Sequence, residues 1–267
     1  MNRIELVDCH THTTYSDGKS QLEDNIVAAI ARGCTTIACT DHLARPDYMD
    51  CFIPEERVPD LEGEIIQARL AHPEIDIVYG FEADWYPGCE KDIAETRGNA
   101  TFLLGSIHYL GELTIDWDQD MRIWEQEGAD AVWRRYAQDW CEACSCPIKF
   151  DSMAHPDLPR LFSLDGYAPT INLEPLWDNM AEAAKAAGVR VELSTAGLRK
   201  KIKDFYPERG LLERFFEAGI PITVGSDAHL ATDVASGMEQ AYALAHEIGY
   251  RRIEVPTSDG GWRHIEI

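Results

Sequence analysis

Seven short runs rich in apolar and β-branched residues recur along the chain, with longer segments of helical periodicity between them. The runs are "RIELVD" (3–8), "TTIACT" (35–40), "IDIVYGFEA" (75–83), "TFLLGSI" (101–107), "IKFDSMA" (148–154), "VRVELS" (189–194) and "PITVGS" (221–226). Strands that alternate with helices pair in parallel, because the helix supplies the crossover a parallel pair needs. The helical segments carry their own punctuation: "QLEDNIVAAIARG" follows Ser20 as N-cap and closes on Gly33, "NLEPLWDNMAEAAKAAG" closes on Gly188, and "ERGLLERFFEAG" on Gly219. The pattern predicts an α/β barrel over about 3–247 and a C-terminal hairpin over about 250–267, turning at Asp259-Gly260-Gly261. No low-complexity tract, charge block, Pro/Gly-rich linker or internal repeat interrupts it, so a single domain over 1–267 is the economical expectation. The longest irregular stretches, 43–60 and 86–100, follow strand ends, where a barrel keeps its substrate loops.

Charge narrows the partners. With 24 basic and 47 acidic residues the net charge is −23, which repels phosphate backbones and anionic membranes at long range, so polymeric nucleic acid is not expected to bind. No apolar stretch approaches the roughly 20 residues that span a bilayer, and no basic-then-apolar leader opens the chain. Eight scattered cysteines without a secretory signal read as reduced thiols of a cytoplasmic protein. Cys141, Cys144 and Cys146 in "CEACSC" fall at the end of a helix with no second Cys-x-x-Cys to complete a zinc site, and are expected to be structural.

The polar outliers then fall into place. His10 and His12 follow the first strand, Asp41-His42 the second, Glu82 ends the third, His108 follows the fourth, His155 the fifth, and Asp227 and His229 the seventh. In a parallel barrel the carboxyl ends of the strands converge on one rim, and imidazoles with carboxylates are the ligand set of zinc, iron or manganese. Six of the nine histidines lie in these windows; His72, His246 and His264 read as helix or hairpin surface. The small residues in "GSIH" and "GSDAH" let other atoms approach the ligands. Asp41 and Asp227, each beside a histidine, read as ligands or as acceptors that fix an imidazole. Asp17-Gly18 reads as a turn that folds back over the rim, giving nine candidate ligands, too many for one tetrahedral ion and suited to a cluster.

Together "DCHTHTTYSDG", "CTDH", "GFEADW", "LGSIHYL", "FDSMAHPDLPRLF", "ELSTAGLRK" and "VGSDAH" resemble the polymerase-and-histidinol-phosphatase (PHP) family, and within it the histidinol-phosphate phosphatases, over residues 6–247. The resemblance implies a distorted (β/α)7 TIM-like barrel holding three divalent metal ions, Zn, Fe or Mn. By the same likeness His10, His12, Glu82 and Asp227 would hold the first metal. Glu82, shared as a bridge, with His108 and His155 would hold the second, and Asp17, His42 and His229 the third. "AHPDLPRLF" and "STAGLRK" resemble segments that carry phosphate-facing cations, which points to Arg160 and Arg199, with Lys200 behind them. Relatives often carry asparagine at Ser194, and "WYPGCEKDIAETRGNA" reads as an insertion near the pocket.

The activity so implied is hydrolysis of a small phosphate monoester, L-histidinol phosphate, by a hydroxide bridging the first two metals, with Asp227, His229 or a metal-bound water as candidate proton donor to the leaving alkoxide. Other phosphoesterase activities of the family, on another monoester, a phosphodiester or a nucleotide, are the first alternative. A metal-dependent amidohydrolase also begins with His-x-His, but it uses a strand-borne lysine as bridge, and no lysine here ends a strand. A binding module that had lost its metals would be expected to lack ligands that this chain retains.

Overall fold

The computed structural model describes residues 5–43 and 51–267. Seven parallel strands, β1 (Leu6–Thr11), β2 (Cys34–Cys39), β3 (Asp76–Asp84), β4 (Phe102–Ser106), β5 (Ser152–Met153), β6 (Arg190–Ser194) and β7 (Ile222–Gly225), pair with their sequence neighbours in that order. The first strand meets the last: Thr11 bridges Ala228, the His12 N–H donates to the Ala228 carbonyl at 2.9 Å, and the Asp227 N–H donates to the His10 carbonyl at 2.8 Å. The sheet thus curls into a nearly closed barrel of the (β/α)7 type. Helices α1 (Leu22–Arg32), α2 (Val58–Ala71), α3 (Cys89–Thr96), α4 (Arg122–Glu127), α5 (Ala129–Cys144), α6 (Glu174–Ala187), α7 (Ala196–Arg199), α8 (Arg209–Ala218) and α9 (Met238–Ile248) lie in the connections.

One continuous apolar cluster runs from Val7 to Ile265. Helix α5 shows how the outer layer attaches: Val132, Trp133, Tyr136, Ala137 and Trp140 recur at helical spacing on one buried face, and the Trp140 ring stacks on Phe215 of α8 at 5.8 Å. None of the helices among the described residues is long and apolar enough to cross a membrane.

The C-terminal hairpin, β8 (Arg252–Pro256) with β9 (Trp262–Glu266), forms at the predicted turn. Trp262 lies edge-on to Phe102 at 5.9 Å and under the Arg190 guanidinium at 3.3 Å, and Arg263 donates to the Thr35 and Thr36 hydroxyls. Those partners stand at the amino ends of β4, β6 and β2. The hairpin therefore closes the floor of the barrel, away from the carboxyl ends where the histidines gather.

Three local expectations are corrected. Ser20 does not cap α1: Gln21 occupies the cap, its carbonyl accepting the Asn25 N–H at 3.2 Å and its own N–H donating to Asp24, while the Ser20 hydroxyl accepts from the Ala231 N–H at 2.9 Å and ties the first rim loop to the last. The fifth strand is shorter than 148–154, because Lys149 turns at φ 57° and the Asp151 carboxylate takes the Leu103 N–H at 2.9 Å before the ladder begins at Ser152. The stretch 86–100 is not irregular: Gly88, at φ 91°, starts α3, which buries Cys89 and Ile93.

Candidate metal centre and phosphate pocket

Nine side chains predicted from sequence converge at the carboxyl rim. Glu82, at the end of β3, is the hub. Its Oε2 lies 3.1 Å from His10 Nε2, 3.4 Å from His12 Nε2 and 3.2 Å from His42 Nδ1, and its Oε1 lies 2.7 Å from His155 Nε2 and 3.4 Å from His108 Nε2. Asp227 Oδ1 lies 3.2 Å from His12 Nε2 and 3.7 Å from His10 Nε2. On the outer side His229 Nε2 stands 3.2 Å and His42 Nε2 3.7 Å from Asp17 Oδ1. Donor atoms this close, from unrelated parts of the chain, form three groups able to hold an ion: His10, His12 and Asp227; His42, Glu82 and His108; and His12, Asp17, His42 and His229. The grouping departs from the resemblance in two details. His12 faces the outer group as well as the inner one, and His42 takes the place beside Glu82 and His108 that the resemblance gives to His155, whose Nε2 still lies 2.7 Å from Glu82 Oε1.

The donor set suits divalent cations. Asp17 Oδ1 and His42 Nδ1 are buried with polar neighbours 3.2 Å away but without an aligned hydrogen bond, a costly state that a bound cation relieves. The carboxylates are held in the ionised form that metal ligation needs. Burial would raise Glu82, but His10, His108 and His42 pull it well below the usual range; burial likewise opposes, and the neighbouring imidazoles outweigh it, at Asp227 and Asp17. His12 is pushed down to about 4 by burial and by the charges of His229 and His42, so it stays neutral with a free lone pair. His229, although burial lowers it, is lifted to about 9 by Asp17 and Asp227.

A second ring of carboxylates, which the sequence reading missed, orients the imidazoles. His10 Nδ1 is 2.8 Å from Glu192 Oε1, and the other Glu192 oxygen accepts the His155 N–H at 2.9 Å. His108 Nδ1 is 2.6 Å from Asp84 Oδ1. Such partners fix which ring nitrogen is free to ligate. Asp8 takes the Ser226 and Ala235 N–H groups at 2.8 and 2.7 Å and so sets the loop that carries Asp227. Asp41 does not fix His42: its carboxylate takes the Thr13 N–H and hydroxyl at 2.8 and 2.7 Å, holding the loop after His12.

Backbone geometry serves the same end. A Cβ on Gly225 would stand 2.2 Å from Glu192 Oε1 and 2.4 Å from His10 Cβ, so only glycine lets that pair meet beside β7. His155 and Asp227 adopt φ of 25° and 53°, which non-glycine residues rarely do, and strain of this kind concentrates at functional sites.

A cavity of about 490 Å3 opens over the cluster. Beyond the rim residues its wall includes Arg199, Lys200, Asp116, Trp117 and Asp233. Arg199 donates to the Ser226 and Asp227 carbonyls and pairs with Asp233 at 3.4 Å, which aims the guanidinium across the pocket mouth. Lys200 is exposed, and its ammonium has no partner among the described residues. Arg160 is not brought to the cavity. Its guanidinium is spent on Asp157 at 3.3 Å, Asp204 at 2.7 Å, Glu208 at 3.5 Å and the Phe205 carbonyl at 2.9 Å, so a phosphate role for it is set aside. Ser194 is likewise absent from the cavity wall, and its hydroxyl accepts the Ala196 N–H at 3.2 Å. None of residues 86–100 lines the cavity, whereas Cys51 and Phe52 of the stretch 43–60 do; residues 44–50 of it lie outside the described residues.

Truncating Arg160 is therefore expected to act on stability. Arg160→Ala leaves the buried Asp157 carboxylate unpaired and should lower the unfolding free energy by about 3 kcal/mol, read from denaturant midpoints, with KM for substrate unchanged.

The profile of the PHP domain family matches residues 8–196. A protein of Deinococcus radiodurans described as "Probable histidinol-phosphatase" is 28% identical over 255 residues, 93% of this chain and 95% of its own. One of Thermotoga maritima with the same description is 26% identical over 94% of this chain and 95% of its own. Among solved structures, the histidinol phosphate phosphatase of Lactococcus lactis, crystallised with Zn, L-histidinol and phosphate, superposes with a TM-score of 0.82 at 20% identity, covering 98% of this chain and all of that one.

Proposed function

Since the chain belongs to the PHP domain family, we propose that it is a metal-dependent phosphomonoesterase that hydrolyses L-histidinol phosphate to L-histidinol and inorganic phosphate, a reaction of histidine biosynthesis in the cytoplasm. The observation that carries the reading is the hub: one buried carboxylate, Glu82, within 3.4 Å of five imidazoles beneath an open, cation-bearing pocket. The relatives described as histidinol-phosphatases align over nearly their whole length, which supports the choice of substrate. The reading takes 1–267 as a single barrel domain with three ion positions: His10, His12, Glu82 and Asp227; Glu82, His108 and His155; and Asp17, His42 and His229. Zinc, iron and manganese all suit these nitrogen and oxygen donors.

Divalent ions held there supply the positive charge that activates a water as nucleophile and offsets charge on the phosphoryl group. The chain's own residues do the rest. Arg199 and Lys200 face the phosphate from the pocket wall, the first with a planar fork and the second as a mobile point charge. Ionised Asp227 takes the proton that the attacking water loses and, with His229 Nδ1 3.5 Å from its Oδ1, passes it to the leaving oxygen. Asp116, Asp233 and the Trp117 face suit a substrate that carries an ammonium and an imidazole ring.

Release of inorganic phosphate from a panel of monoesters and diesters by metal-replete protein tests the assignment. L-histidinol phosphate is expected to give the highest kcat/KM; a diester or an unrelated monoester turned over equally well would remove the named substrate. Within that assay Lys200→Ala and Arg199→Ala should each raise KM about tenfold, the worth of one charged hydrogen bond.

A further inference from the structure

"CEACSC" has no place in the rim, yet one of its cysteines is not alone. Cys146, just past the end of α5, lies with its sulfur 3.8 Å from that of Cys89, the first residue of α3, although 57 residues separate them. Both thiols are buried, at 5% and 0% exposure. A ligand oxygen of Glu90, the next residue, lies within 4.8 Å of both sulfurs. Cys144, the nearer cysteine in sequence, is not part of the group.

We propose that Cys89, Cys146 and Glu90 form a second, independent metal site that takes one borderline-soft divalent cation, zinc by preference, and pins α3 to the turn after α5. Two thiolates bound tetrahedrally to zinc at about 2.3 Å stand about 3.8 Å apart, the separation seen here. The carboxylate argues against a simple dithiol switch. It adds a third negative charge beside two sulfurs, whereas a dithiol switch needs only the thiols, and a divalent cation would offset two of those three charges. Burial also keeps bulky disulfide oxidants from both sulfurs. Glu90 is only half-buried, so the fourth position opens toward solvent and can take water. Binding releases the two thiol protons to solvent and leaves the cation, two thiolates and the carboxylate at a net charge of −1. The site would clamp the two segments that flank β4: the one leaving β3 after Glu82 and Asp84, and the one leading through β5 to His155.

The rim ligands are nitrogen and oxygen only, so sulfur spectroscopy reads this site alone. Full-length reduced protein, stripped of metal and reloaded with cobalt(II), should show the near-ultraviolet thiolate-to-cobalt charge-transfer band. The band should vanish in Cys89→Ser and Cys146→Ser and persist in Cys51→Ser, whose cysteine lines the pocket, with far-ultraviolet circular dichroism unchanged. No band in the unmutated protein, or a band that survives both serine variants, overturns the proposal. Should those variants not fold, zinc-edge absorption on the unmutated protein decides: a sulfur shell at about 2.3 Å supports the site, and a shell of nitrogen and oxygen alone, or a Cys89–Cys146 disulfide found by peptide mapping, overturns it.

Discussion

Glu82→Gln should lower phosphate release by more than about 100-fold and strip the protein of rim metal in the same step, because loss of even a partner behind a ligand costs about 10- to 100-fold. Glu82 is 1% exposed and its two oxygens face His10, His12, His42, His108 and His155, five candidate ligands around one carboxylate. Glutamine keeps the size and one acceptor but loses the charge that two ion positions would share. It also turns an amide N–H₂ toward imidazoles that need an acceptor. The measurement is metal content by elemental analysis alongside kcat, with thermal unfolding as a control for the fold. Unchanged metal content with near-normal kcat would remove Glu82 as the bridge.

Asp227→Asn should separate chemistry from binding. Asparagine tolerates the left-handed backbone at φ 53° better than most residues, so the loop tied by Asp8 is kept. What goes is the charge that stands 3.2 Å from His12 and 3.5 Å from His229. With proton transfer to the leaving oxygen impaired and one ligand weakened, kcat is expected to fall about 10²- to 10⁴-fold while KM changes little. A substrate with a more acidic leaving alcohol should be hurt less, since its alkoxide needs less help. An equal loss on both substrates would take Asp227 out of the proton path and leave it a metal ligand only.

The barrel and its rim were legible because they rest on strong local signals. Parallel strands buried on both faces show as near-continuous apolar runs, and a histidine directly after such a run is conspicuous. Glu192, Asp84 and Asp8 escaped notice for the opposite reason: Glu192 and Asp8 sit inside their strands and Asp84 ends one, where a single carboxylate looks like ordinary inward and outward alternation, and only the folded barrel shows that Glu192 lies behind His10. A charged residue in a run otherwise fit for burial was the available clue. Arg160 was misjudged because sequence gives the cation but not its partners. Asp157 is three residues away, yet Asp204 and Glu208 arrive from the other side of β6. The pairing of Cys89 with Cys146 was equally hidden, since spacing within "CEACSC" pointed to Cys144.

The central claim is that the histidine and carboxylate rim works through bound divalent ions. Phosphate release from L-histidinol phosphate, measured on chelator-stripped protein during titration with zinc, manganese or iron(II), tests it most directly. Turnover should be at background when stripped and rise in step with the metal bound at the rim; full turnover by protein shown to hold no metal would contradict the account.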